Sequence, residues 1–220
     1  MAAARRGAYI VTGRYEFGER LRDALARCKR AGLSRAVSTT MHLLGIVLYR
    51  LGRYGEAEAA AREALAGFRL VGDERMEAGA RVVLAALRSK TDADGAAAEL
   101  EALLAAMPDK GLPWRAYASA LLAELRLARG DVAGALDAVR PAFEAIDAAG
   151  AEAEIFVRLT FARALDTCGE AGRARAELAA ARDVLMRWAS FLTSDEDRAA
   201  LFAVDDHRRV LDLARDWQLA

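Results

Sequence analysis

A period of 39 residues constrains the fold of this chain more than any other feature of its sequence. Steps of that length from Gly52 lead to Thr91, Gly130 and Gly169, and the same steps from Ala57 lead to alanines at 96, 135 and 174. A second set of glycines, at positions 32, 72, 111 and 150, recurs at the same interval within one residue. Glycine ends helices because it enters the left-handed conformation at little cost. Two alternating glycine series on one period therefore predict helix, turn, helix and turn, repeated along the chain.

The stretch at 39–72 shows the repeated unit most clearly. Its first half predicts a helix whose packing face carries Met41, Leu44, Gly45 and Leu48. A turn at Gly52 follows, and the second half faces back with small or apolar residues at 57, 61, 64 and 65. The small residues Gly45 and Ala57 allow the two helices to pack closely. This pattern resembles the tetratricopeptide repeat (TPR), a hairpin of two antiparallel helices.

The resemblance implies an all-α fold, a right-handed α-solenoid of TPR-like helix hairpins with a 39-residue period. The expected organisation is an incomplete first repeat or N-terminal cap at 1–33, repeats at 34–72, 73–111, 112–150 and 151–192, and C-terminal capping helices at 193–220. The second helix of the first repeat is expected near 15–30. The segments at 197–202 and 208–217 are similar to the tail of TPR regions in large bacterial signalling and regulatory proteins.

Polar and proline signals predict where individual helices begin or break. Capping side chains are expected at Ser34, at Asp73, at Thr193 together with Glu196, and at Asp205 or Asp206. Pro113 suits the first position of a helix, where the missing N–H would have no helical partner. Pro141 falls inside the second helix of the 112–150 repeat, so we expect a kink or an early break there.

Composition and charge disfavour several classes of protein. The chain is 55% hydrophobic with only 3 prolines, which favours helix almost throughout. The 32 basic residues balance the 32 acidic ones, whereas proteins that bind nucleic acid through its phosphates usually carry a basic excess. Neither a membrane-spanning stretch nor a secretion signal is recognisable. Cys28 and Cys168 lie in predicted helices, which suits reduced, buried thiols in the cytoplasm.

No pattern typical of catalysis or metal binding is present. The sequence contains no phosphate-binding loop, nucleophile elbow, zinc-protease motif or Cys-x-x-Cys pair. His42 and His207, the only histidines, fall in different repeats, so they are not expected to share a metal or a proton relay. We interpret His207, which has charged neighbours on both sides, as a solvated residue at a helix start. The prediction is a non-enzymatic protein with no metal and no cofactor.

In the TPR family the first helix of each hairpin lines a concave groove, and the resemblance carries that role to particular positions. Ten residues are expected to face a peptide ligand: His42, Ile46, Tyr49, Arg50, Arg81, Arg88, Tyr117, Glu124, Phe156 and Arg163. Arginine beside tyrosine suits a segment that bears carboxylates. The alternative is that arginine is simply abundant, and that Tyr49 and Tyr117 pack against the next helix. The lysines and asparagines of the family's carboxylate-clamp subclass are not matched.

These features predict a cytoplasmic protein–protein interaction module that presents a concave peptide-binding groove, in bacterial signalling or regulation. The expected partner is a protein or peptide, acidic in character, and neither nucleic acid nor membrane. The alternative is a peptide or small-ligand sensor domain that switches an attached effector such as a kinase or transcription activator. Apolar residues close to the start of the chain also predict a homodimer through the N-terminal end, by way of Tyr9, Ile10, Tyr15 and Phe17.

Overall fold

The computed structural model describes residues 15–107, 113–149 and 151–219, and within these ranges the regular structure is entirely helical. The fold is therefore all-α and of the TPR-like solenoid class, as the sequence predicts; the handedness of a superhelix stays a prediction. The chain forms two compact units, unit 1 (Met1–Asp92) and unit 2 (Ala93–Ala220). The division between them falls inside the repeat expected at 73–111.

Unit 1 is a stack of helices in which each packs against the next. Its described helices are α1 (Tyr15–Arg30), α2 (Ser34–Arg50), α3 (Tyr54–Leu70) and α4 (Glu74–Arg88). Helices α2 and α3 approach each other closely. A Cβ atom added to Gly45 would lie 3.4 Å from both the Ala57 carbonyl oxygen and the Ala61 amide nitrogen. Small residues at these positions therefore bring the two backbones together, and Phe68 is fully buried in the same core.

Unit 2 contains two helix hairpins with short helices at its C-terminal end. Its described helices are α5 (Ala93–Ala106), α6 (Pro113–Ala128), α7 (Val132–Glu144), α8 (Ile146–Ala149), α9 (Ala151–Thr167), α10 (Ala171–Ser190), α11 (Asp195–Ala203) and α12 (Asp205–Asp216). The hairpins are α6 with α7 and α9 with α10, and α9 packs on both helices of the preceding hairpin. Helix α12 packs against α9, α10 and α11.

The glycine turns predicted from the period are present wherever the structure describes them. Gly52 has φ of +72° between α2 and α3, and Gly169 has φ of +89° between α9 and α10. Positive φ values also occur at Gly32, Gly72 and Gly130. Gly111 and Gly150, the other members of the predicted series, lie outside the described residues. The repeated hairpin is thus built on turns whose backbone conformation strongly favours glycine.

Three of the local predictions are confirmed. The Asp73 side chain accepts a hydrogen bond of 3.2 Å from the Met76 amide and so caps α4. Helix α6 begins at Pro113. Helix α7 contains Pro141, ends three residues later at Glu144, and is followed by the four-residue α8.

The other predicted caps are wrong, because the turns place the helix starts elsewhere. The amides of Gly32 and Leu33 are bonded to carbonyls of α1, so Leu33 is the residue that precedes α2 and Ser34 is already helical. Ser194, rather than Thr193, caps α11 by accepting a 3.0 Å hydrogen bond from the Asp197 amide. Val204 precedes α12, so neither aspartate caps it.

The expectation of buried thiols is also wrong. Cys168 is exposed in the turn between Thr167, the last residue of α9, and Gly169, and its thiol lies 3.2 Å from the Leu165 carbonyl oxygen. Cys28 is half-buried on α1. The segment expected to form the homodimer lies largely outside the described residues, because Tyr9 and Ile10 are not described and the side chains of Tyr15 and Phe17 are not described either.

Candidate interaction surfaces

The ten residues predicted to face a ligand divide between the two units. Six belong to unit 1: His42, Ile46, Tyr49, Arg50, Arg81 and Arg88. Four belong to unit 2: Tyr117, Glu124, Phe156 and Arg163. Each group is carried by the first helices of its hairpins or by α4.

In unit 1 the surface around Tyr49 combines an aromatic ring with cationic side chains. The Tyr49 ring lies 5.7 Å from the Tyr54 ring, and the Lys90 ammonium lies 5.8 Å from the centre of the Tyr49 ring. Arg88 is exposed and forms an ion pair of 2.6 Å with Asp92. Arg50 and Arg81 are half-buried, as is Ile46, which packs against the core of the unit. We call Ile46, Tyr49, Arg50, Arg81 and Arg88 the unit 1 surface.

His42 is misplaced by the prediction, because the structure puts it in the core. Its side chain is only 1% exposed and meets the Phe68 ring edge-on, with the ring centres 6.0 Å apart. Burial lowers the pKa of His42 to about 4, so the imidazole is neutral at physiological pH. A ligand bound on the surface of this conformation would not contact it. The neighbours of His42 on α2, Met41 and Leu44, are buried as well, which shows that this stretch of α2 faces inward.

Phe156 is likewise buried, although it belongs to an aromatic row. Its ring stacks on Tyr117 at 6.0 Å between ring centres, and Tyr117 lies 6.2 Å from Trp114. Tyr117 packs against the core cluster of unit 2 that contains Phe156. The row therefore joins α6 to α9, and Phe156 contributes packing rather than an exposed contact.

Glu124 is the centre of the most extensive polar cluster among the predicted residues. Its side chain is 16% exposed on α6, and its carboxylate accepts hydrogen bonds from the Thr160 hydroxyl at 3.2 Å and from the Arg209 guanidinium at 2.6 Å. Arg163 pairs with the same carboxylate. Three helices, α6, α9 and α12, thus meet at one acidic group. We call Glu124, Thr160, Arg163 and Arg209 the Glu124 cluster.

The charges of the Glu124 cluster are mutually stabilising. Burial by itself lowers the pKa of Arg209, but the charge and hydrogen bond of Glu124 outweigh that effect and leave the pKa above its ordinary value, with smaller contributions from Asp206 and Asp205. Asp206 lies 3.5 Å from the Arg209 guanidinium. Arg209 therefore remains a cation, and its bond to Glu124 is charge-assisted.

The C-terminal helices contact the rest of unit 2 at two further points. His207, which was expected to be solvated, is 5% exposed and places Nδ1 2.8 Å from the Leu201 carbonyl oxygen of α11, with the Trp188 ring edge-on at 6.0 Å. This corrects the prediction, because the turn at Val204 folds α12 back onto α11. Arg182 donates a 2.9 Å hydrogen bond to the Leu219 carbonyl, and Trp217 packs against the core cluster.

One period separates Glu124 from Arg163, so their pairing was available from the sequence as a contact between equivalent positions of adjacent repeats. Thr160 and Arg209 are not among the residues that the sequence predicts to face a ligand. Arg209 lies 85 residues from Glu124, outside the repeats, and no signal in the sequence pairs them. Among the described residues, no group of three or more His, Cys, Asp or Glu side chains is arranged to hold a metal ion.

Paired antiparallel helices with close crossings of glycine and alanine define a helical-repeat scaffold. Residues 8–69 match the family model of the tetratricopeptide repeat, so this segment is similar to that family. The hairpins α6–α7 and α9–α10 continue the same construction beyond the matched residues. No curated protein matches the sequence. Within the described ranges, every helix is too short or too polar to cross a membrane.

The family that residues 8–69 match has a known broad class of function. Tetratricopeptide repeats generally serve as modules for protein–protein interaction, and the family is a non-catalytic repeat scaffold.

Proposed function

We propose that the chain binds a protein partner through the unit 1 surface and that the bound segment carries carboxylates. The observation that carries this proposal is that the aromatic and basic residues of the surface occupy equivalent positions in adjacent repeats. One period separates Tyr49 from Arg88, so the aromatic ring and the guanidinium occupy equivalent positions on α2 and α4. Helices α2 and α4 also contact each other. An arginine guanidinium donates paired hydrogen bonds to a carboxylate, and tyrosine adds a rigid flat face.

The charge distribution of this surface agrees with an acidic ligand. Arg50, Arg81 and Arg88 face the solvent at least in part, and Lys90 lies over Tyr49. Asp92, which pairs with Arg88, is the acidic group that a ligand carboxylate would replace. Such exchange is feasible because an exposed ion pair contributes only about 0–1 kcal/mol to stability.

The test compares two variants with equal loss of charge. Arg81→Ala/Arg88→Ala alters the unit 1 surface, whereas Arg62→Ala/Arg69→Ala removes two exposed arginines of α3 that pair with Glu58 and Glu77. Proteins retained from a lysate of the source cell are identified, and the binding segment is then titrated as a peptide. We expect the first variant and Tyr49→Ala to lose the partner and the second to keep it. Replacing the carboxylates of the peptide by amides should have the same effect as the first variant.

If all variants retain the same proteins, or if the amide peptide binds as well as the acidic one, the proposal is wrong. Circular dichroism before each measurement establishes that the variants keep their helical content. A cytoplasmic place in bacterial signalling or regulation is the setting we propose for this interaction, and a sensor role that switches an attached effector stays a prediction.

A further inference from the structure

Helix α12 is held to the rest of unit 2 by a small apolar face and by the bond from Arg209 to Glu124, and the residues just after it are held by Trp217 and by the bond from Arg182 to the Leu219 carbonyl. Seven of its twelve residues are charged, and its buried residues are His207, Val210 and Ala214. Its apolar contact is therefore modest for a helix that packs on three others. Elements with few buried apolar contacts open locally at lower free energy than the core does.

The polar bond of α12 joins Arg209 to the carboxylate of Glu124. Arg209 reaches the Glu124 carboxylate on α6, 85 residues earlier in the chain, and its side chain is 30% exposed. The acceptor site is otherwise built by the repeats themselves, since Thr160 is fully buried on α9 and Arg163 lies one period from Glu124. The carboxylate would therefore remain in position if α12 moved away.

We propose that Glu124 forms a guanidinium-binding site in unit 2, filled within the chain by Arg209 and taken over by an arginine of a partner helix when α11 and α12 move away. The two helices move together because the contact between His207 and the Leu201 carbonyl joins them. The partner helix should resemble α12, because it would occupy the same place. It should carry an arginine at the position of Arg209 and apolar residues one and five positions later, as α12 does at Val210 and Ala214.

The tethered helix competes with any such partner. A tethered segment acts at an effective concentration on the order of millimolar, so α12 prevents a weakly binding partner from occupying the Glu124 site. Loss of the charge-assisted bond to Glu124 should lower the equilibrium constant for docking of α12 on this site by about tenfold or more. This inference concerns unit 2 and does not depend on the unit 1 surface.

The test uses the full chain and a labelled synthetic peptide of residues 204–219. We expect the Arg209→Ala chain to bind this peptide about tenfold more tightly than the wild type does. The matched control is Arg208→Ala, which removes the neighbouring exposed arginine that pairs with Asp205 and should bind as the wild type does. A peptide with Arg209→Ala should lose about tenfold in affinity for the Arg209→Ala chain, and a Glu124→Gln/Arg209→Ala chain should no longer distinguish the two peptides.

Hydrogen exchange supplies a second measurement that does not need the peptide. In the Arg209→Ala chain we expect the amides of α12 to exchange at least tenfold faster while those of α9 are unchanged. Arg209→Lys keeps the charge but not the paired donors, so it should fall between wild type and alanine.

Three results would overturn the proposal: equal peptide affinity of the Arg209→Ala and Arg208→Ala chains, indifference to the arginine of the peptide, or unchanged exchange of α12. Concentration-dependent dimerisation of the Arg209→Ala chain would overturn the choice of occupant in favour of a second copy. The Arg81→Ala/Arg88→Ala variant should bind the peptide as the wild type does, so a failure of the unit 1 proposal would be seen separately.

Discussion

Gly67 of α3 lies so close to Ser38 of α2 that a methyl group on the glycine would overlap the serine hydroxyl and lie 3.1 Å from its Cβ atom. The Ser38 hydroxyl also bonds to the Ser34 carbonyl at 3.1 Å. The two helices of this hairpin thus also approach each other closely at a glycine and a serine, and the size of each residue limits the other.

We expect Gly67→Ala to destabilise the protein by about 1 kcal/mol, because the overlap exceeds the gain in helix propensity. In a Ser38→Ala background the same substitution should cost at least about 1 kcal/mol less, since the overlapping atom is gone. Urea unfolding of the four proteins measures this coupling. Additivity within about 0.3 kcal/mol would show that the two positions do not constrain each other.

The turn at Gly169 provides a matched pair of glycine substitutions. Gly169 has φ of +89°, whereas Gly172 lies in the first turn of α10, and a Cβ atom at either position would meet nothing within 4 Å. Gly169→Ala should therefore cost about 1–2 kcal/mol through backbone strain alone. Gly172→Ala should be neutral or stabilising by up to about 1 kcal/mol. Thermal unfolding of both variants provides the comparison, and equal shifts would contradict the strained turn.

Arg158 links three helices of unit 2. It bonds to Glu154 at 2.9 Å and to Glu177 at 2.5 Å, and its guanidinium lies 5.6 Å from the centre of the Phe143 ring. Arg158→Ala should destabilise the protein by about 2 kcal/mol, because it leaves two half-buried carboxylates without this cation.

The control for Arg158 is Arg173→Ala, which breaks an exposed pair with Glu170 and should change stability by less than about 0.5 kcal/mol. The denaturant midpoints of the two variants, measured under the same conditions, compare the two losses of stability. A loss at Arg158 no larger than that at Arg173 would show that the half-buried bonds of Arg158 contribute little.

His42 makes the stability of the protein depend on pH. Its pKa is about 4 in the folded chain and about 6.5 when unfolded, so the unfolded state takes up a proton first as the pH falls. This contribution to stability is complete above about pH 6.5 and is lost progressively down to about pH 4. We expect a loss of about 2 kcal/mol between pH 7.5 and pH 5, as an order of magnitude.

The pH prediction is checked by comparing wild type with His42→Leu, which removes the titrating group from the core. The difference in unfolding free energy between the two proteins should change by that amount between the two pH values. A difference that is independent of pH would mean that the imidazole is not kept neutral by burial.

The repeated hairpin could be predicted in detail because its signals are local and periodic. Gly45 and Ala57 indicate a close helix crossing, and in the structure a Cβ atom on Gly45 would lie 3.4 Å from the Ala57 carbonyl oxygen. The break after Pro141 follows from a missing amide hydrogen and a steric clash, both of which are properties of the residue itself. Even the pairing of Glu124 with Arg163 is contained in the period, since equivalent positions of stacked repeats lie side by side.

The cap positions and the environments of the histidines could not be predicted in this way. Ser34 and Thr193 have the right side chains for caps, but the preceding turns decide which residue adopts the capping conformation. His42 lies among residues expected to face a ligand, and its register did not reveal that its ring would be buried against Phe68.

The sequence by itself determined the helix hairpins, their turns and their close crossings, because these depend on residues within one period of each other. Only the tertiary structure decided that α12 folds back, that His207 is buried and that Arg209 reaches Glu124. Those contacts join distant parts of the chain without any periodicity. They form because the packing of α12 on unit 2 brings the charges together, and residue spacing along the chain carries no information about such a placement.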